Sequence, residues 1–189
     1  MADGDCFHAT DPDGFLIGFL GEDPVGCVSM VRYGAAFSFL GFYIVEPELR
    51  GRGHGYSIWQ AAIARAGNRT VGLDGVIAQQ DNYRKSGFVL AHRNIRYGGI
   101  PSCGRVNDAR LTPVTSELGD AIVRYDRLFF PERRDTFVRC WLQPDRTAFA
   151  IVEDGSVRGY GVARPCHTGF RIGPLFADTP ELAMCSFAR

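Results

Sequence analysis

Residues 50–55 read Arg-Gly-Arg-Gly-His-Gly. They lie between a run of aromatic and β-branched residues and a stretch with helical period. Glycine lets the backbone take φ > 0 and come close to a ligand. Successive N–H groups can then converge on one concavity, and a helix that starts there adds the positive end of its dipole. Arg50 and Arg52 bring charge-assisted donors. Together these groups suit a diphosphate; a solvated turn carrying two incidental arginines is the alternative from the loop alone. No Gly-Lys-Ser/Thr follows, so this is not a Walker loop. Nor is it a dinucleotide fingerprint, because the runs before it read as a meander and not as the first strand of a βαβ unit. Nucleotide binding is further disfavoured because no magnesium-binding motif follows.

Three strand-like runs precede the loop, at residues 15–21, 25–32 and 37–45. Their short links imply antiparallel neighbours. After the loop, Ile58, Trp59, Ala62, Ile63 and Ala66 form one helical stripe, stopped by Gly67-Asn68. Residues 70–77 then read as a strand parallel to the third, 79–86 as a short helix ended by Gly87, and 88–97 as another strand. Residues 1–14 read as a polar segment with a turn at Asp11-Pro12-Asp13-Gly14.

The glycine-rich segment 98–104 reads as a linker. Beyond it a strand is expected at 110–115. A helix capped by Ser116 should reach residue 130, and a second, opening at Pro131, should end near residue 142. Strands are expected at 147–152, 157–164 and 170–176. An internal repeat runs through this order: Gly26 and Gly41 recur as Gly159 and Gly173, 133 and 132 residues later. The first copy keeps the glycine loop and lacks a helix pair before it. The second keeps the helix pair and lacks the loop. Each reads as cut, one at its front and the other at its back.

Composition narrows the class. The 21 basic and 21 acidic residues of this 189-residue chain cancel, and 46% of residues are hydrophobic, which excludes a disordered tail. Lys85 is the only lysine. The arginines are scattered among aspartates and not gathered on a basic background, which argues against nucleic-acid binding. Six cysteines show no Cys-x-x-Cys pair and no zinc spacing, so no metal is expected; free structural thiols are, and these fit a cytoplasmic setting. The acidic start is not a signal peptide, and no apolar run reaches the roughly 20 residues of a membrane span.

The segment from Glu46 to Gly55 resembles the acyl-CoA loop of the GNAT superfamily of N-acetyltransferases, with Arg50, Gly53 and Gly55 at the fixed positions of its Arg/Gln-x-x-Gly-x-Gly/Ala pattern. Tyr83-Arg84-Lys85-Ser86-Gly87-Phe88 is similar to the family's Tyr-x-Lys-x-Gly-Phe segment. The match covers about residues 15–97. The resemblance implies a mixed α/β (α+β) fold: a twisted sheet, part antiparallel and part parallel, flanked by helices. Residues 1–98 would form an acetyl-CoA-binding unit without its usual first strand and two helices, 99–109 a linker, and 110–189 a partial, degenerate second copy. Such a pair resembles family members in which an active first domain precedes a divergent second one.

The resemblance also implies roles. The backbone of Phe42, Tyr43, Ile44 and Val45 would pair with the pantetheine arm, and the amides of Arg50, Gly51, Arg52, Gly53, His54 and Gly55 would hold the pyrophosphate. Tyr83 would protonate the leaving thiolate, and the Val45 N–H would stabilise the oxyanion. Glu46 would act as base through water; its alternative is a surface pair with Arg50 or Arg52. The family's coenzyme-contacting Asn falls near Gln79 or Gln80 here, with Asn82 beside the tyrosine. Acetyl-CoA is the expected cosubstrate, and a primary amine of a small molecule or peptide the acceptor. The rival function is an inactive acyl-CoA-binding or regulatory module. An unpaired sheet edge would favour a homodimer that completes the sheet.

Overall fold

The computed structural model describes residues 3–100 and 108–185. Part of the expected linker, residues 101–107, lies outside them. Strands β1 (Phe15–Leu20), β2 (Asp23–Tyr33) and β3 (Phe37–Val45) form the expected antiparallel meander, and β4 (Thr70–Leu73) pairs parallel to β3. Between β3 and β4 the chain crosses over as helix α2 (His54–Ala66). Its stripe of Ile58, Trp59, Ala62 and Ala66 closes a core with Val25, Val28, Met30 and Leu40. A short helix, α3 (Gln80–Lys85), follows β4.

The second half builds a separate antiparallel sheet in the order β5 (Leu111–Pro113), β6 (Thr147–Glu153), β7 (Ser156–Pro165) and β8 (Phe170–Ala177). Helices α4 (Gly119–Asp126) and α5 (Asp135–Trp141) supply Ile122, Tyr125, Phe137, Val138 and Trp141 to its core. Helix α6 (Pro180–Cys185) follows β8. The fold is thus the mixed α/β architecture expected, with a second sheet repeating the meander of the first.

Several local expectations are corrected. Residues 3–10, read from sequence only as part of a polar segment, form a helix, α1 (Asp3–Thr10). Its apolar residues belong to the other half: Cys6 and Phe7 pack in the core beneath α5. Cys6 is not a free thiol but is bonded to Cys140 of α5, with Cα atoms 5.4 Å apart; Cys27 and Cys166 are free. Residues 88–97 take no regular structure, and β4 stops at Leu73. A strand needs a neighbour for its N–H and C=O groups, and among the described residues the far edge of β4 has none. The helices after the linker are shorter than expected: residues 116–118 form a 3-10 turn, and Pro131 lies in the turn before α5.

The halves also meet at the β2–β3 turn. Phe130 packs edge-on against Tyr33 and Phe37, and the Arg134 guanidinium lies 4.2 Å over the Phe130 ring. Arg134 donates two hydrogen bonds of 2.7 Å to buried Asp126, which also accepts one from the Tyr160 hydroxyl. Burial pushes the Tyr33 phenol up to about 12.

Candidate functional site

β3 is nine residues long, yet β4 pairs only with Phe37 to Leu40. Beyond Leu40 no strand among the described residues pairs with that edge of β3. The ladder to β2 shows which groups face the gap. The Glu46 N–H donates to the Val25 carbonyl at 3.0 Å, so Val45, one residue earlier, turns its N–H and C=O the other way. The Arg50 Nε, donating to the Val45 carbonyl at 2.9 Å across that edge, fits this direction. A bulge interrupts the same stretch: Phe42 and Tyr43 lie together opposite Val28, and Phe42 has φ +48°. Its carbonyl accepts from the Cys27 thiol at 3.3 Å.

After Glu46 the chain makes a 3-10 turn (Pro47–Leu49) and reaches the glycine loop. Gly51 and Gly53 have φ +74° and +89°, a region costly for any side chain, with nothing within 4 Å of where a Cβ would sit. The Arg50 N–H is already taken by the Pro47 carbonyl at 3.3 Å, so it departs from the expected set of diphosphate donors. The amides of residues 51–56 donate to no backbone carbonyl among the described residues, and the Ser57 N–H is the first to turn inward, to Gly53. Six consecutive amides at the start of α2 are therefore left without a backbone acceptor among the described residues, close in sequence to the end of β3 that β4 does not pair. Gly55 is helical and is glycine for a different reason. A Cβ there would stand 2.7 Å from the Tyr43 hydroxyl and 2.9 Å from Val45 Cγ2.

Tyr83 comes from α3. Its ring stacks on Trp59 of α2 at 5.9 Å, and the Tyr43 ring lies tilted against the same indole at 5.4 Å. The Tyr43 phenol is raised by burial, with the Tyr83 phenol nearby adding to the shift. One indole thus ties the strand that carries Tyr43 to the helix that carries Tyr83. Trp59 and the Tyr43 side chain were missed as site elements from sequence; Trp59 was legible only as one member of the helical stripe.

Glu46 is exposed at the end of β3 and makes no ion pair among the described residues, so the expected alternative of a pair with Arg50 or Arg52 is not what forms. His54 is the half-buried first residue of α2. Asn82 is exposed on α3, where its amide donates to the Gln79 side chain at 2.7 Å. Asp74 accepts from Asn94 at 3.0 Å. Among the described residues no group of three or more His, Cys, Asp or Glu side chains could hold a metal, and no helix is long and apolar enough to cross a membrane.

Comparison with known proteins decides the family. Residues 2–88 match the acetyltransferase (GNAT) family, and residues 122–188 match a second description, the acetyltransferase (GNAT) domain. The chain belongs to the GNAT superfamily. A holothin acyltransferase from Pseudoalteromonas sp. (strain SANK 73390) is 30% identical over 189 residues, covering 100% of this chain and 64% of the relative. The chain spans 64% and 57% of the lengths of two curated relatives it matches. Among solved structures, a Pyrococcus horikoshii protein provisionally described as an acetyltransferase superposes with a TM-score of 0.72 at 20% identity, over 97% of this chain and 62% of that one. A tandem GNAT protein from the clavulanic acid biosynthesis pathway gives 0.55 at 16% identity, over 98% and 71%. Two separate stretches of this chain thus match GNAT descriptions, and the glycine loop lies in the first.

Proposed function

We propose that this GNAT chain transfers an acetyl group from acetyl-CoA to a primary amine of a small molecule or peptide. The observation that carries the proposal is the run of six amides, residues 51–56, that donate to no backbone carbonyl among the described residues and follow the end of β3 that β4 leaves unpaired. Amides around open space at a helix start suit the diphosphate. An open strand edge suits the two amides of a pantetheine arm. The likeness to an acyltransferase supports acyl transfer as the reaction class.

The chemistry follows from what the thioester needs. A neutral amine attacks the carbonyl carbon, forming a C–N bond; the C–S bond then breaks. Glu46, exposed beside the open edge, takes the proton of the ammonium through water. The Val45 N–H faces the developing oxyanion. Tyr83 gives its proton to the departing thiolate, whose affinity for it is in the range a phenol can satisfy.

The test is a titration of the protein with CoA, followed by release of free thiol from acetyl-CoA when amines are offered. Saturable binding and amine-dependent thiol release are expected. Binding without thiol release for any amine would make the chain an acyl-CoA-binding module instead. Absence of binding would remove the proposal.

A further inference from the structure

The disulfide joins residues that occupy the same place in the two copies. Cys6 and Cys140 are 134 residues apart, close to the 132–133 that separate the paired glycines of the repeat. Each is followed by a large aromatic residue, Phe7 or Trp141. Each lies on the helix that leads into its own meander, α1 or α5. The two copies therefore meet through equivalent helices, as two subunits meet across a twofold axis.

Each aromatic residue also reaches the bulge in the third strand of a meander. In the second copy, the Trp141 indole N–H donates to the Gly173 carbonyl at 2.8 Å. Gly173 and Pro174 form a bulge in β8, lying together opposite Val162. In the first copy, the Phe7 ring meets the Phe42 ring edge-on at 5.6 Å. Phe42 is one of the two bulged residues of β3, opposite Val28, and this bulge lies one ladder position nearer the strand end than that of β8. Behind Phe7 stand the second copy's Phe137 at 4.9 Å and Trp141 at 6.2 Å. A bulky residue keeps φ > 0 only where its surroundings over-determine it. For Phe42 those surroundings are Phe7, Phe15 at 5.9 Å and the Cys27 thiol that donates to its carbonyl.

We infer that Phe7 is a positioning residue for the coenzyme strand. Backed by the second copy through the Cys6–Cys140 bond and the Phe137–Trp141 stack, it fixes the bulge at Phe42. The bulge sets the direction of those N–H and C=O groups in residues 42–45 that the ladder to β2 leaves unpaired. The inference about the coenzyme rests on the proposed function; the inference about strand order does not. It gives the second copy, which lacks a glycine loop, a mechanical part in the first copy's site.

Two readouts on the oxidised protein test this separately. Amide hydrogen exchange reports the strand without any ligand, and calorimetric titration with CoA reports the site. Phe7→Ala should speed exchange at residues 42–45 by about tenfold while β6 and β7 stay protected, and should weaken CoA by about tenfold. Phe7→Trp, the side chain the second copy uses, should stay within about twofold of the unaltered protein on both. Reducing the disulfide with dithiothreitol should shift both readouts in the same direction as Phe7→Ala. Should Phe7→Ala fail to fold cooperatively, Phe7→Leu, which keeps bulk and loses the edge contact, takes its place with the same expectations. A folded variant whose exchange at residues 42–45 is unchanged overturns the inference. If the unaltered protein binds no CoA, the proposed function fails, and the exchange result still decides the role of Phe7.

Discussion

The ends of β3 and β8 are the same piece of structure put to opposite uses. In both, a glycine of the neighbouring strand faces the last residue of the pair, Gly26 against Val45 and Gly159 against Ala177. In both, the next residue is acidic and anchors its N–H back across the ladder, Glu46 to Val25 at 3.0 Å and Asp178 to Arg158 at 2.9 Å. There the likeness stops. The Glu46 carboxylate is exposed without an ion pair among the described residues. The Asp178 carboxylate accepts from the Tyr125 hydroxyl at 2.7 Å and from Arg158 at 3.3 Å. After Glu46 come glycines and open amides; after Asp178 come Thr179 and Pro180, and α6 begins at once. One end is left open, and the other is closed by its own side chains. A repeat thus keeps its ladder and loses its site when the groups at the strand end find partners within the fold.

The contrast can be broken at its strongest point first. Gly53→Asp forces φ +89° on a residue with a Cβ and puts a carboxylate among the amides. CoA affinity should fall by about a thousandfold, measured by calorimetry, with little change in the second sheet. Tyr83→Phe keeps the stack on Trp59 and removes the proton; kcat should drop by about a hundredfold with the CoA dissociation constant nearly unchanged. Equal loss of both would contradict the acid role.

The two acids offer a sharper pair. Glu46→Gln should lower kcat by about tenfold or more and leave the melting temperature alone. Asp178→Asn should do the reverse, costing about 1 kcal/mol of stability in denaturant unfolding and leaving CoA binding unaffected. A smaller effect concerns Asp11, which ties the loop after α1 to β2 and α2. Burial alone would raise its carboxyl, but hydrogen bonds from Arg32 and the charge of Arg65 outweigh this and hold it below the ordinary 3.8. That stabilisation is present above pH 3.8 and is lost as pH falls through the lower folded-state value. Thermal melts of Asp11→Asn should therefore lie below those of the unaltered protein at neutral pH and converge with them in acid.

Much of this was legible because local signals agreed. The limits of β3, the loop and the stripe of α2 follow from alternation, glycine spacing and helical period. The GNAT resemblance was legible in two short motifs for the same reason. What was missed depends on partners far along the chain. Residues 3–10 have no apolar stripe of their own, and they are helical because Cys6 and Phe7 reach the second copy's core. The Cys6–Cys140 bond was signalled by a spacing close to the repeat offset, a clue that cysteine motifs alone do not register. Residues 88–97 carry strand-like residues but pair with no strand among the described residues. Gly55 showed itself as a loop glycine, but only packing reveals the Tyr43 hydroxyl it must accommodate.

The central claim is that the amides of residues 51–56 receive the diphosphate of CoA beside the open end of β3. Amide NMR spectra recorded as CoA is added test it residue by residue. The account predicts large, saturable shifts at Gly51 to Tyr56 and at Phe42 to Val45, with the amides around Asp178 unmoved. Shifts confined to other parts of the chain, or none at ligand excess, would contradict it.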